Sequence, residues 1–400
     1  MKKKKNKKWM KFRHKVVRVL AGWALFSVCK IKYGIKVTRF RKQGKRPYLI
    51  LFNHQTPFDQ FFVGLAFKGP VYYLATEDIF SNGFVSSLIR WLVAPIPIKK
   101  QVTDGRAVMN CLRVAREGGT IALAPEGNRT YSGKTEYMNP AIAALARKLA
   151  LPIALYRIEG GFGTEPRFSD RTRKGSMRSY VSRVIEPEEY KEMSDSELFA
   201  IIEKELFVND YDLGGTWRGN HRAEYIERAL YICPFCSLSE FESHGNSAHC
   251  KNCGFTFEYN EDLTLKSDRA DFKFKNFGEW YDWQKDFINN FDPFADTATP
   301  LFSDVVDVYE VVLQKKKVLL KSDDSLLLYG DKITLLGEEL PFTKIQNMAV
   351  LGRNKLNIYS GDTVYQIKGG KRFNALKFVH IFNRHKNVLS DEKNVTFLGM

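Results

Sequence analysis

The chain has 400 residues, 44% of them hydrophobic, which is ample material for a core and excludes disorder as the default state. That length suggests two or three domains. The net charge of +17 is unevenly placed: residues 1–50 hold 18 Lys and Arg and no acidic residue, while the remaining 350 hold 44 basic and 45 acidic residues. A nucleic-acid enzyme spreads basic charge along a groove. A terminal basic block fits attraction to an anionic membrane, or a flexible nucleic-acid arm.

Residues 1–29 favour the membrane. Trp9, Phe12, Val16, Leu20 and Trp23 recur at spacings of three and four, with Lys11, Arg13, Lys15 and Arg18 between them. That is the pattern of a helix lying in the interface plane. Each basic residue near an anionic surface adds on the order of 1 kcal/mol. The alternative is a solvated basic tail followed by a core helix. No uncharged apolar run reaches the ~18 residues a spanning helix needs. Val16–Cys29 contains Arg18, lacks a small-x-small exit and is followed by Lys30 and Lys32, so a signal peptide is not expected either. The expected location is the cytoplasmic face of a membrane, peripheral or monotopic. The six cysteines agree, since four form a metal-type pattern.

Within a domain expected over residues 30–210, residues 48–208 alternate short apolar runs with helical patterns. Tyr48–Phe52, Val71–Ala75, Thr120–Ala124 and Ile153–Ile158 read as buried strands, and Phe58–Phe67, Arg106–Arg116 and Ala141–Ala150 as helices between them. Ser194 reads as the cap of a helix running to about Phe207. The expected fold class is α/β, a sheet flanked by helices.

Two segments in this region carry chemistry. Asn53-His54-Gln55-Thr56-Pro57-Phe58-Asp59 follows a strand and enters a helix. Thr56 can cap that helix and Pro57 suits its first position. A histidine near neutral pH can take the proton of an attacking hydroxyl, and a carboxylate on its far nitrogen fixes the tautomer. Alone, the pair is weak: seven histidines among 45 acidic residues make roughly one such spacing a matter of chance. Thr56-x-x-Asp59 is also a capping box. The second segment, Ala124-Pro125-Glu126-Gly127-Asn128-Arg129-Thr130, again follows an apolar run. Gly127 permits close backbone approach, and Arg129 offers a rigid fork suited to phosphate.

Together, His-x4-Asp and Pro-Glu-Gly-x-Arg resemble the glycerolipid acyltransferase family, lysophosphatidic-acid-acyltransferase-like, over about residues 30–210. The resemblance implies that His54 is the general base and Asp59 its partner, with Glu126, Gly127, Asn128 and Arg129 in acceptor binding. It implies an acyl thioester donor, acyl-CoA or an acyl carrier protein, and a lysophospholipid acceptor. The family's Gly-x-x-Phe-Ile-x-Arg block is matched by Ala94-Pro95-Ile96-Pro97-Ile98-Lys99-Lys100, placing Lys100 at the Arg position. Lys keeps the charge and loses the bidentate fork. Asn128 stands where Thr is usual. Leu151-Pro152-Ile153-Ala154-Leu155 stands for a Val-Pro-Ile-Val-Pro-like stretch.

Residues 211–260 hold a helix and a cysteine module, Cys233-Pro-Phe-Cys236, thirteen residues, then Cys250-Lys-Asn-Cys253-Gly254. Two such knuckles suit tetrahedral Zn²⁺ in a closed structural site, with rubredoxin-like iron as the alternative. The module resembles a zinc ribbon. His244 and His249 are expected at the surface, and Cys29 and Cys111 as packed thiols. Residues 261–304 read as a helical linker, with Glu279–Asn289 helical. Residues 305–388 carry Val308–Leu313, Lys317–Leu320, Ser325–Leu328, Ile333–Leu336, Ile345–Leu351, Leu356–Tyr359 and Val364–Ile367, then a helical pattern. That order resembles a pleckstrin-homology-like β domain. Residues 389–400 form a tail. Competing readings are a membrane-docked binding protein without activity, an acyltransferase for another lysolipid or glycolipid, and a zinc-ribbon nucleic-acid binder. The charge balance beyond residue 50 argues against the last, so no nucleic-acid partner is expected.

Overall fold

The computed structural model describes residues 8–44, 46–76, 84–98, 105–311 and 317–390. The chain divides into two compact units. The first comprises residues 1–129, 138–161 and 176–209, and the second residues 130–137, 162–175 and 210–400. Residues 130–137 and 162–175, which lie within the expected 30–210 region, belong to the second unit.

In the first unit the described elements run α1 (Phe12–Tyr33), β1 (Lys36–Val37), β2 (Leu49–Phe52), α2 (Asp59–Ala66), β3 (Val71–Thr76), α3 (Phe84–Val93), β4 (Ile96–Ile98), α4 (Gly105–Arg116), β5 (Thr120–Leu123), α5 (Ala141–Leu149) and β6 (Ile153–Glu159). A strand Arg178–Ile185 and a helix Asp195–Leu206 follow. The sheet order is β1, Arg178–Ile185, β6, β2, β5, β3, β4. Every neighbouring pair is parallel except β6 with Arg178–Ile185. The central strand β2 is buried on both faces, as a parallel strand under two helical layers must be. Leu49 and Leu51 join α4 and α5, while Ile50 and Phe52 join α1 and α2. Ser194 caps Asp195–Leu206 by accepting the Glu197 N–H at 3.2 Å.

Four of these elements escaped the sequence reading: β1, α3, β4 and the strand Arg178–Ile185. Pro95 and Pro97 argue against a strand, yet β4 is at the sheet edge, where a missing N–H is tolerated. Lys100 lies outside the described residues. Thr56 is not the cap of α2: that helix starts at Asp59 with no side-chain cap, and the Thr56 hydroxyl accepts the Phe58 N–H at 3.1 Å.

In α1, Phe12, Leu20 and Trp23 are 79%, 69% and 81% exposed, with Val16 also exposed. The opposite face buries His14, Cys29 and Tyr33. Two expectations change. Trp9 leaves the stripe: its main-chain N–H meets Glu117 and its indole N–H meets the Ala94 carbonyl at 2.9 Å. Arg18 turns inward onto the Gly64 and Phe67 carbonyls. The α3 helix also exposes Phe84 and Trp91, and the Arg13 guanidinium covers the Trp91 ring at 5.0 Å. Among the described residues no helix is long and apolar enough to cross a membrane.

In the second unit, strands Phe241–His244, Ser247–Cys250 and Thr256–Tyr259 form an antiparallel ladder. Helix Phe277–Asn290 is capped by Asn276, and its Trp280 indole donates to the Ile232 carbonyl at 3.0 Å. Trp217 is fully buried against Gly163 and Gly175, where an added Cβ would lie 2.3 and 2.2 Å from the indole. Phe162 and Phe168 pack on Phe277, which explains why residues 162–175 join this unit. The C-terminal part is a seven-stranded antiparallel sheet followed by helix Leu376–Leu389. Its first strand begins earlier than expected, at Phe302. Two expected strands are one, Val318–Leu328, continuous through polar Lys321–Asp324, and Glu338–Pro341 is an unexpected strand.

Candidate active site

Strands β6, β2 and β5 are parallel neighbours, so the loops after them open at the same edge of the sheet. Crevices outside the carboxyl ends of such strands are where α/β sheets bind ligands. The loop after β2 carries His54, the loop after β5 carries Pro125–Arg129, and β6 ends at Glu159-Gly160-Gly161.

The His54 Nδ1 lies 2.7 Å from an Asp59 carboxylate oxygen. Asp59 is fully buried, while the histidine side chain is 24% exposed. The carboxylate also takes the Gln55 N–H at 2.6 Å, the Thr56 N–H at 3.0 Å and the Thr56 hydroxyl at 2.6 Å. Asp59 therefore turns back over its own approach loop and holds both that loop and the imidazole. With Nδ1 engaged, Nε2 is the nitrogen that can exchange a proton with a ligand.

The rest of the loop is fixed by its main chain and amide side chains. The Asn53 amide donates to the Ile158 carbonyl and accepts the Ile158 N–H, both at 2.8 Å, in the manner of a further ladder rung beyond β2. The Gln55 side-chain oxygen takes the Gly161 N–H at 2.7 Å. Glycine suits position 161, since a Cβ there would lie 2.7 Å from the Gln55 Cβ and 2.6 Å from that oxygen. Neither Asn53 nor Gln55 was singled out from the sequence. Their side chains replace strand hydrogen bonds, and a polar loop carries no pattern that announces this.

The second segment forms a turn closed by the Gly127 N–H on the Ala124 carbonyl, with Gly127 left-handed at φ 68°. Glu126 is 2% exposed and takes the main-chain N–H of His54 at 2.7 Å. Arg129 donates from Nε to the Gln55 carbonyl at 3.1 Å. Asn128 is buried. The structure thus brings His54, Asp59, Glu126 and Arg129 together.

The four module cysteines converge elsewhere, in the second unit. Their sulfurs all lie within 4.8 Å of one another, with Cys233 to Cys253 at 3.7 Å and Cys236 to Cys250 at 3.5 Å. A tetrahedron with metal–sulfur arms of ~2.3 Å has edges of about 3.8 Å, so the cluster fits one thiolate-bound ion. Burial pushes the Cys236 thiol up to about 11. Cys250 is buried too, but the Ser239 hydroxyl at 3.0 Å and the Cys253 and Asn252 N–H groups bring its thiol down to about 7. His244 and His249 are exposed, and only the four cysteines form such a cluster among the described residues. Cys29 and Cys111 are buried, and burial raises their thiols to about 11 and about 12, as suits packed rather than nucleophilic sulfur.

No curated protein matches the chain. Among solved structures, the 1-acyl-sn-glycerophosphate (LPA) acyltransferase PlsC from Thermotoga maritima is similar at 18% identity and a TM-score of 0.40, over 48% of this chain and 75% of that one. Residues 34–157 match the Acyltransferase family model, and His54, Asp59, Glu126 and Arg129 all lie inside that match.

Proposed function

We propose that the chain is an O-acyltransferase that moves a fatty acyl group from a thioester donor to the free hydroxyl of a lysophosphatidic-acid-like glycerolipid, giving phosphatidic acid or a related phospholipid. The observation that carries this reading is the buried Asp59 carboxylate on His54 Nδ1, at the carboxyl edge of the sheet. In this scheme His54 Nε2 takes the hydroxyl proton as the oxygen attacks the thioester carbonyl. A C–O bond forms, the C–S bond breaks, and the imidazolium returns the proton to the leaving thiolate. Asp59 stabilises the imidazolium between the two transfers. Arg129, Gly127 and Asn128 are assigned to the acceptor side of the crevice, with Lys100 supplying a second positive charge. The donor is acyl-CoA or an acyl carrier protein.

The test is to incubate purified protein with labelled acyl-CoA and acylated carrier protein against a panel of lysolipids and to identify products by mass. Acylated lysophosphatidic acid supports the reading. Acylation of a different lysolipid or a glycolipid moves the acceptor. Tight lysolipid binding without turnover favours the inactive binding protein.

The exposed faces of α1 and α3 support docking on an anionic membrane, and its cytoplasmic face is the location proposed. Deleting residues 1–28 would also strip His14 from the core, so surface substitutions are the cleaner test. Burying one large apolar side chain contributes about 1.5–3 kcal/mol, so Leu20→Glu with Trp23→Glu is expected to lower partitioning onto anionic vesicles by roughly tenfold or more. Moderate salt should weaken binding of the unaltered chain. Unchanged sedimentation of the double variant with vesicles would place the anchor on another surface. The four-cysteine cluster is assigned to a structural Zn²⁺.

A further inference from the structure

We propose that Glu126 is a positioning residue for the general base: its carboxylate sets the main chain of the His54 loop instead of holding the acceptor. This rests on the acyltransferase reading above. The resemblance gave Glu126 to acceptor binding, but the structure gives its carboxylate another partner, the His54 N–H at 2.7 Å, with Glu126 only 2% exposed. A carboxylate is also a poor neighbour for an anionic phosphate and a strong acceptor for an amide. Glu126 completes a series in which successive residues of the loop are each held by a different group, Asn53 through its side-chain amide and the others through their main chain. Asn53 is tied to Ile158, the His54 N–H to Glu126, the Gln55 N–H to Asp59 and the Gln55 carbonyl to Arg129. The Asp59 bond fixes the imidazole from its side-chain end, and the Glu126 bond fixes the same residue from its backbone end. Without the second, the ring pivots about Asp59 and Nε2 moves relative to a bound hydroxyl.

Such a role has a kinetic signature that acceptor binding lacks. A displacement on the order of 1 Å costs roughly 10²-fold in rate, so Glu126→Ala is expected to lower kcat by about 10² while the acceptor KM changes less than about threefold. In Glu126→Gln the amide oxygen can accept the same N–H, and kcat is expected within about tenfold of the unaltered protein. Hydrogen exchange of residues 50–58 gives a readout independent of turnover: the His54 amide loses protection in Glu126→Ala and keeps it in Glu126→Gln. If Glu126→Ala does not fold, Glu126→Gln decides alone, with retained kcat and KM supporting the role. A tenfold rise in acceptor KM at unchanged kcat, in either variant, overturns it. Unchanged His54 protection in a folded Glu126→Ala protein overturns it too. Failure of the unaltered protein to acylate any lysolipid sinks the functional reading and leaves the exchange comparison to judge the positioning role separately.

Discussion

Replacing His54 by alanine is expected to lower turnover by roughly 10²- to 10⁴-fold, the usual contribution of a positioned general base, while the protein stays folded. The fold should survive because the side chain is 24% exposed and makes one side-chain hydrogen bond among those described, to Asp59. Steady-state turnover with an accepted lysolipid, beside circular dichroism of the same sample, reads both quantities. A folded variant with near-normal turnover would remove His54 from the mechanism. Asp59→Asn is expected to be damaging as well, and for two reasons. An asparagine keeps one acceptor oxygen, whereas the carboxylate serves the imidazole, two N–H groups and a hydroxyl. Its amide nitrogen would face donors, which leaves buried groups unsatisfied at about 1–3 kcal/mol each. A residue acting only as a helix cap would tolerate the change, since Asn caps as well as Asp. The helix it begins has no side-chain cap to lose.

How far the sequence carried this picture depended on whether a residue's role was local. Strands β2, β3, β5 and β6 are short apolar runs, buried by neighbours on both faces, and their hydrophobicity marks them directly. The His54 and Asp59 pairing was legible because both lie on one short loop and the Pro-Glu-Gly-x-Arg segment gave an otherwise weak spacing its meaning. The Glu126 bond to His54 spans 72 residues and follows from the parallel pairing of β2 with β5, which no single stretch encodes. The sequence therefore named Glu126 without its partner. The same holds for Trp9 and Arg18. Periodicity assigned both to one amphipathic helix, but an indole N–H and a guanidinium are drawn to main-chain carbonyls that only the folded chain presents. In the C-terminal sheet, polar Lys321–Asp324 looked like a turn between strands. There the ladder resumes across a register shift between Val306 and Val308, with Asp323 at φ 51°; residues 321–323 are exposed and Asp324 is buried. Hydrogen bonding, not burial, sustains that strand, and composition does not report it.

Purified protein is expected to contain about one zinc per chain, held by Cys233, Cys236, Cys250 and Cys253. Binding must displace protons, most of all from thiols that burial holds protonated, such as Cys236 near 11, so zinc affinity should rise with pH. Zinc binding in comparable small modules is worth on the order of 10 kcal/mol, more than a ladder of four-residue strands is expected to supply. The module is nevertheless not wholly dependent on the ion, because Phe241 and Phe257 pack edge-on against Trp280 at 5.5 and 4.9 Å. Chelation or Cys233→Ser should therefore loosen the knuckles at 233–236 and 250–253 first and the strand Thr256–Tyr259 less. The sheet from Phe302 to Gly369 should hold its protection. Hydrogen exchange with and without chelator, beside metal analysis, separates these regions. Red, iron-loaded protein would favour the rubredoxin-like alternative. Turnover should change much less than exchange, because four thiolates fill a tetrahedral shell and leave no open position for substrate. Loss of turnover on chelation that zinc restores, with no change in exchange anywhere, would place the metal in the chemistry and refute a structural role.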